Sequence, residues 1–134
     1  DRVLRAVQAE FSCGFCTDAQ GAQTIGKTFR ENHYLLDTHT AVACTVLDAY
    51  RSGTGDQTLT VVESTASPFK FCASVLDALG VTEHAPGTGV LAQLTAETGR
   101  PAPKPLASLA GKPVRFDQVT DRGDMRAVVT EFLR

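Results

Sequence analysis

The chain has 134 residues, a formal net charge of −2 and an apolar content of 43%, which is ordinary for one folded domain and argues against intrinsic disorder. It contains no block of Lys and Arg, so nucleic acid is not an expected partner. It has neither an apolar run long enough to cross a bilayer nor a signal-peptide pattern, so we expect no membrane span and a cytoplasmic location.

Two helices are predicted before residue 33. Residues 1–10 fit the end of a helix, and because the chain opens at Asp1 within that pattern, we expect it to be a fragment of a longer protein. Thr17 and Gln20 form a capping box, T-x-x-Q, that starts a second helix ending at about residues 31–32.

A third helix is predicted over about residues 39–51, with Asp37 and Thr38 as cap-type residues before it. Apolar side chains occupy nearly every face of this helix, and a helix of that kind is typically buried. The run from Ser52 to Gly55 is expected to end it. So much predicted burial in so short a chain indicates that neighbouring parts are missing.

The second half predicts alternating strands and helices. Leu59 to Val62 is predicted to form a strand, followed by a helix that starts at Ser67-Pro68 and ends at Gly80. A second strand is predicted over 114–119, with a last helix from about Arg122. Parallel pairing of the two strands gives an α/β fold that is mostly helical with a small, about two-stranded, parallel sheet.

Residues 81–113 form a Pro- and Gly-rich, irregular connector within what we expect to be a single unit over 1–134. A short helix is predicted near residues 90–97, stopped by Gly99. The run Pro101–Pro105 predicts stiff, extended backbone. A ligand for SH3 domains is the rarer alternative for such a run.

The cysteines offer a weak alternative function. Cys13 and Cys16 form one C-x-x-C pair, whereas a structural zinc site needs two such pairs or an additional His pair. A thioredoxin-like redox pair lies at a helix N-terminus directly after a strand. The residues before Cys13 look helical instead, which disfavours that function. We therefore expect no metal site, and a redox or zinc function is the less favoured interpretation of this pair.

Polar residues at two helix starts are the candidates for ligand binding. Thr65 and Ser67 follow a predicted strand and open a helix, where hydroxyl and N–H groups converge on small ligands, although capping alone also explains them. Asp37 and His39 stand at the start of another predicted helix, where a carboxylate is also an ordinary cap.

Taken together, these stretches resemble the C-terminal part of threonine synthases. Residues 37–43 give D-x-H-T-A-V-A and residues 64–71 give S-T-A-x-P-x-K-F, in the family's order, while residues 11–18 are similar to the aromatic, Gly-containing loop before them. Many members have Pro where this chain has Thr38, and His where it has Ser67. The latter difference removes an imidazole from the motif.

The resemblance implies a fold-type II enzyme, similar to the β subunit of tryptophan synthase, that uses pyridoxal phosphate (PLP). Such enzymes convert O-phosphohomoserine and water into threonine and phosphate. In this family a threonine matching Thr65 hydrogen-bonds the pyridine nitrogen of the cofactor. The implied cofactor-binding residues are Thr65, Asp37, Thr40, His39, Ser64 and Ser67.

The lysine that binds PLP covalently lies upstream in the family, outside this chain, and Lys70 is not assigned that role. We therefore expect no catalytic residue here and no activity without the missing N-terminal part, which is the expected partner. Two alternatives stay open: another fold-type II lyase, such as a dehydratase, and a non-catalytic interaction module.

Overall fold

The computed structural model describes residues 1–134 and consists of helices joined by irregular segments. No helix combines the length and the apolar character that a membrane span requires. The seven helices are α1 (Arg2–Glu10), α2 (Asp18–Asn32), α3 (Thr38–Thr54), α4 (Cys72–Ala78), α5 (Gly89–Thr98), α6 (Lys104–Ala107) and α7 (Met125–Phe132).

The start and end of α2 follow from local chemistry. The Thr17 side chain accepts a hydrogen bond from the Gln20 backbone N–H at 3.3 Å, and the Gln20 side chain accepts one from the Thr17 N–H at 2.8 Å. The helix ends at Asn32, followed by His33 in the left-handed region with φ 52°. The capping box and the end near residues 31–32 are therefore confirmed.

The α3 helix is longer and less buried than expected. It passes through Ser52 and Gly53 and ends only where Gly55 adopts a φ of +74°, which favours glycine. Within α3 only Thr40 and Ala41 are buried. Cys44, Val46 and Leu47 are half-buried, and Val42 and Tyr50 are exposed, so within this chain α3 is only partly buried.

The helix predicted from Ser67 to Gly80 is divided in two. A 3-10 turn over Pro68–Lys70 comes first, capped by the Ser67 hydroxyl, which accepts from the Phe69 N–H at 3.3 Å. Phe71 then leaves helical geometry, with φ −131° and ψ 40°, before α4 begins. The predicted cap is confirmed, but the helix after it is interrupted at Phe71.

The predicted α/β fold with a two-stranded parallel sheet is wrong, because the structure contains no strand. In the first predicted strand Leu59 and Val61 are 91% and 85% exposed, and in the second Val119 is 95% exposed. Both segments have strand-like sequences, yet a strand forms only when another strand supplies hydrogen bonds along its edge. Residues 59–62 and 114–119 do not pair with each other.

The segment 81–113 includes two helices. The helix predicted near residues 90–97 is confirmed as α5, which ends at Gly99 with φ +66°. Its Leu94 is fully buried. Pro103 adopts the polyproline-type φ −55° and ψ 134°, but Pro105 lies in the first turn of α6, so the extended run is shorter than predicted.

One small hydrophobic core joins α2, the start of α3, α4 and α5. In contrast, α1 and α7 have no buried residue. Their apolar faces, which include Val3, Val7, Val129 and Phe132, are about half to almost fully exposed. The core residues are Ile25, Leu35, Leu36, Ala41, Phe69, Cys72, Val75, Leu76 and Leu94.

Close packing of α2 on α4 depends on Gly26. A Cβ atom at this position would lie 2.6 Å from the carbonyl oxygen of Ala78, a separation that real Cβ atoms do not tolerate. Gly21, also in α2, has no such constraint, because a Cβ there would meet only the Cys16 sulfur, at 4.0 Å. Gly26 is therefore required for packing, whereas Gly21 has only the cost of a glycine within a helix.

We predict that Gly26→Ala destabilises the protein although alanine favours helices. The overpacking cost of about 1–3 kcal/mol exceeds a helix-propensity gain of about 1 kcal/mol, so the free energy of unfolding should fall. In the control, Gly21→Ala should raise it by about 0.5–1 kcal/mol. Urea denaturation measures both, and equal stabilisation by the two substitutions would contradict the packing argument.

Candidate functional site

The Asp37 carboxylate organises the start of α3. The residue is 1% exposed, and its Oδ1 accepts hydrogen bonds from the backbone N–H groups of His39 at 2.8 Å and Thr40 at 3.2 Å. These N–H groups belong to the first turn of the helix and have no partner within it. Asp37 is therefore the N-cap, as its position in the sequence predicted.

The other carboxylate oxygen of Asp37 joins α3 to a distant loop. Oδ2 accepts hydrogen bonds from the Thr40 hydroxyl and, at 3.2 Å, from the Ser64 hydroxyl. The two hydroxyl oxygens are themselves 3.0 Å apart. We call Asp37, Thr40 and Ser64 the carboxylate triangle. Two of the predicted site residues, separated from Ser64 by 24 and 27 positions, thus meet it directly.

Hydrogen counting limits what the carboxylate triangle can bind. Each hydroxyl has one hydrogen, and Thr40 and Ser64 both point theirs at Asp37. Asp37 already accepts four hydrogen bonds, so it has no free position for a ligand. Ser64 is exposed and can offer only a lone pair outward. A ligand group that meets Ser64 while its bond to Asp37 is kept must therefore donate a hydrogen bond.

Asp37 remains ionised despite its burial. Burial by itself raises the pKa of this carboxyl group, but the hydrogen bonds from the Thr40 side chain, the Thr40 and His39 N–H groups and the Ser64 side chain lower it. Together these bonds outweigh burial, so the pKa of Asp37 lies below its ordinary value of 3.8. The carboxylate triangle is consequently built around a negative charge.

His39 lies beside the carboxylate triangle but points into solvent. Its Nδ1 lies 3.6 Å from Asp37 Oδ1, and its side chain is 65% exposed. One face packs on Phe71, with ring centroids 5.1 Å apart and a tilt of 48°. His39 is thus within reach of a ligand at the start of α3, with Phe71 against one face of its ring.

Thr65 follows Ser64 directly and is exposed. Its hydroxyl makes no hydrogen bond with another residue of the chain, in contrast to Thr40 and Ser64, so it remains free to donate. The Ser67 hydroxyl caps the 3-10 turn by accepting a hydrogen bond from the Phe69 N–H. Lys70, at the end of that turn, is exposed. Thr65 is therefore the predicted residue with an uncommitted hydroxyl.

A cleft of about 550 Å³ lies beside the site, between α2, α3 and α4. Phe71 belongs both to this cleft and to the contact with His39. Sequence reasoning missed the cleft, because residues from three helices form it and no local spacing connects them. Its lining residues are Cys16, Thr17, Asp18, Ala19, Gly21, Ala22, Ile25, Thr38, Val42, Phe71, Ser74 and Asp77.

The C-x-x-C pair lies in the loop between α1 and α2. Cys13 is exposed and Cys16 is half-buried at the cleft, and neither forms a disulfide. The helix predicted before Cys13 is confirmed as α1. The structure contains no group of three His, Cys, Asp or Glu side chains arranged to hold a metal ion.

These features define a helical domain with a polar site at the start of α3. The sequence model of the family described as "Threonine synthase, C-terminal" matches residues 40–130, about two-thirds of the chain. The chain therefore belongs to the threonine synthase C-terminal domain family, and the resemblance is confirmed. Thr40, Ser64, Thr65 and Ser67 lie within the match, whereas Asp37 and His39 lie just before it.

Curated relatives agree with this assignment. Threonine synthase-like 1 of mouse (Mus musculus) is 33% identical over 82 residues. The proteins of the same name from Macaca fascicularis and human are 31% and 30% identical, each over 81 residues. Each alignment covers 60% of this chain but 10% of the relative. The matched region is thus a small part of a much longer protein in these species.

We predict that Asp37→Asn lowers the free energy of unfolding at pH 7 by about 1–3 kcal/mol. Each carboxylate oxygen accepts two hydrogen bonds, and the amide nitrogen that replaces one of these oxygens can accept neither. The low pKa of Asp37 stabilises the fold above its ordinary value of 3.8. This stabilisation is lost as the pH falls from there through the lower pKa of the folded state. Urea denaturation at pH 7 and at pH 3 measures both effects.

Asp117→Asn is the control for this prediction, since it changes an exposed carboxylate and should leave stability at pH 7 nearly unchanged. The Asp37→Asn protein should lose less stability than the wild type between pH 7 and pH 3. An equal acid loss in the two proteins would show that Asp37 does not carry this part of the stability.

We also predict that Cys13 reacts faster than Cys44 and Cys72 with a disulfide reagent at pH 8. Burial raises the pKa of Cys72, and burial followed by the charges of Asp48 and Asp37 raises that of Cys44. These shifts reduce the reactive thiolate at Cys44 and Cys72, and both are less accessible to the reagent than exposed Cys13. The absorbance of the thiol released by the reagent gives the rate of each reaction. The Cys13→Ser variant is the control, because it should lack the fast reaction assigned to Cys13. Cys72 reacting as fast as Cys13 would contradict this order.

Proposed function

We propose that this chain is part of a PLP-dependent threonine synthase, which converts O-phosphohomoserine and water into threonine and phosphate. The observation that carries the proposal is the family match over residues 40–130. The names of the relatives, Threonine synthase-like 1, support the same class of protein. The substrate, the reaction and the cofactor are proposed for the whole enzyme and not for this chain alone.

The residues present are compatible with PLP. A pyridine nitrogen that carries no proton needs a hydrogen-bond donor, and the exposed Thr65 hydroxyl is uncommitted. A hydroxyl is neutral, so it does not enforce protonation of that nitrogen as a carboxylate would. We therefore assign Thr65 to the pyridine nitrogen. When bound, PLP would supply an electron-withdrawing ring suited to elimination and replacement at the substrate.

The remaining predicted residues receive supporting roles in this proposal. Asp37 would not touch the cofactor, because four hydrogen bonds already occupy its oxygens. It would hold Thr40 and Ser64 in place, with the Ser64 lone pair available to a donating group. His39 would form one wall of the site through its contact with Phe71. Ser67 would act by fixing the turn that follows Thr65.

The nucleophile is proposed to come from outside this chain. Covalent catalysis with PLP needs a lysine amine, and Lys70 lies on an exposed turn and does not line the cleft. We expect the chain on its own to be inactive. The rest of a longer polypeptide would be its partner and would cover the exposed apolar side chains of α1, α3 and α7. The cytoplasmic location stays a prediction.

We predict that Thr65→Ala in the complete enzyme changes the absorption of bound PLP and lowers kcat about tenfold or more, equivalent to about 1.4 kcal/mol. The reason is loss of the proposed donor to the pyridine nitrogen. Thr65→Ser keeps a hydroxyl and should retain most of the wild-type spectrum and rate. An unchanged spectrum and rate in Thr65→Ala would remove this residue from the site.

The products separate the synthase from a dehydratase-like lyase, the alternative within the same fold type. The complete enzyme supplied with O-phosphohomoserine should release phosphate and form threonine in equal amounts. A dehydratase would instead release ammonia and an oxo acid from a hydroxy amino acid. Ammonia release without threonine formation would refute the synthase proposal while leaving PLP binding intact.

A further inference from the structure

The residues after α3 return along that helix. The helix ends at Gly55, and residues 57–64, here called the return segment, contain neither helix nor strand. Side chains of α3 hold both ends of this segment. At the C-terminal end of the helix, Arg51 Nη2 donates hydrogen bonds to the Thr58 carbonyl oxygen at 3.0 Å and to the Thr60 hydroxyl at 3.2 Å.

A second pair of contacts secures the turn before the return segment. The Tyr50 hydroxyl donates to Asp56 Oδ2 at 3.1 Å, and Asp56 Oδ1 accepts from the Thr58 N–H at 2.8 Å. At the opposite end, Ser64 joins the carboxylate triangle. Between these two ends, Leu59 and Val61 are 91% and 85% exposed, so they do not fix the position of the segment.

The length of the return segment nearly equals the length of helix it follows. Asp37 and Arg51 are separated by about 21 Å along the axis, at 1.5 Å per residue. The six steps from Thr58 to Ser64 span at most about 20–22 Å when extended. Arg51 holds one end of this short segment, and Asp37 and Thr40 hold the other, so a shift at one end can reach the other through a few residues of backbone.

We propose that Arg51 is a positioning residue that, through the return segment, sets where Thr65 lies beside the start of α3. Arg51 lies at the far end of the helix and touches neither the carboxylate triangle nor Thr65, so its effect on the site is indirect. This inference rests on the proposed PLP function of Thr65. It adds a residue that neither motif contains.

The test is a double-mutant cycle in the complete PLP-loaded enzyme. Arg51→Ala should lower kcat about tenfold, since displacement of a catalytic contact by an ångström is costly, and change KM less than about twofold. It should also shift the absorption of bound PLP. In the Thr65→Ala background the same substitution should lower kcat less than about twofold, because the contact it positions is gone.

Hydrogen exchange supplies a readout independent of activity. In Arg51→Ala, exchange of the Thr58 amide, which donates to Asp56 Oδ1 within the turn that Arg51 holds, should become faster, with and without PLP. Arg100→Ala is the matched control, because Arg100 Nη2 likewise donates to a backbone carbonyl, that of His33, at 2.6 Å. It should leave both the exchange of the return segment and the PLP absorption unchanged.

The outcomes distinguish this inference from the function it rests on. If Thr65→Ala changes the PLP spectrum but Arg51→Ala acts equally in both backgrounds, or leaves exchange of the Thr58 amide unchanged, the positioning role is wrong and the proposed function stands. If Thr65→Ala has no effect on the spectrum or rate, the proposed function of Thr65 fails, and the positioning role of Arg51 fails with it.

Discussion

The site depends on one buried charge, the carboxylate of Asp37. Burying an ionised group is costly unless hydrogen bonds replace its water, and Asp37 receives four, two from backbone N–H groups and two from hydroxyls. Those partners belong to the first turn of α3 and to a loop 27 residues away. The same bonds that keep the charge inside therefore also define the local geometry, since releasing Ser64 or Thr40 would leave a buried carboxylate unsatisfied.

A small hydrophobic core supports the geometry around Asp37. Of 134 residues 13 are buried, all between α2 and α5, while the apolar faces of α1 and α7 are open to solvent. Such a core stabilises the region around the site but leaves the ends of the chain without packing partners. This agrees with the comparison, in which the matched 82 residues cover a tenth of the mouse relative. In our proposal the rest of the polypeptide both covers these faces and supplies the reactive lysine.

Sequence reasoning succeeded where the interaction is local. The Thr17–Gln20 capping box, the Asp37 cap and the Ser67 cap each involve residues two or three positions apart, and helix ends obey rules at that range. It failed for the strands at 59–62 and 114–119. Side-chain alternation shows that a segment suits a sheet, but the partner edge that makes it a strand lies elsewhere in space. The interruption at Phe71, in contact with His39, was likewise beyond local rules.

The sequence by itself determined the family, the helix starts and the residue types at the site, because motifs and caps are properties of neighbouring residues. Only the tertiary structure decided which of those residues meet. It brought Ser64 to Asp37 and Thr40, left the Thr65 hydroxyl uncommitted, and placed Arg51 at the far end of the segment that leads to them. Hydrogen bonds between segments 7 to 27 residues apart depend on how the chain turns back along α3, and no periodicity in the sequence encodes that path.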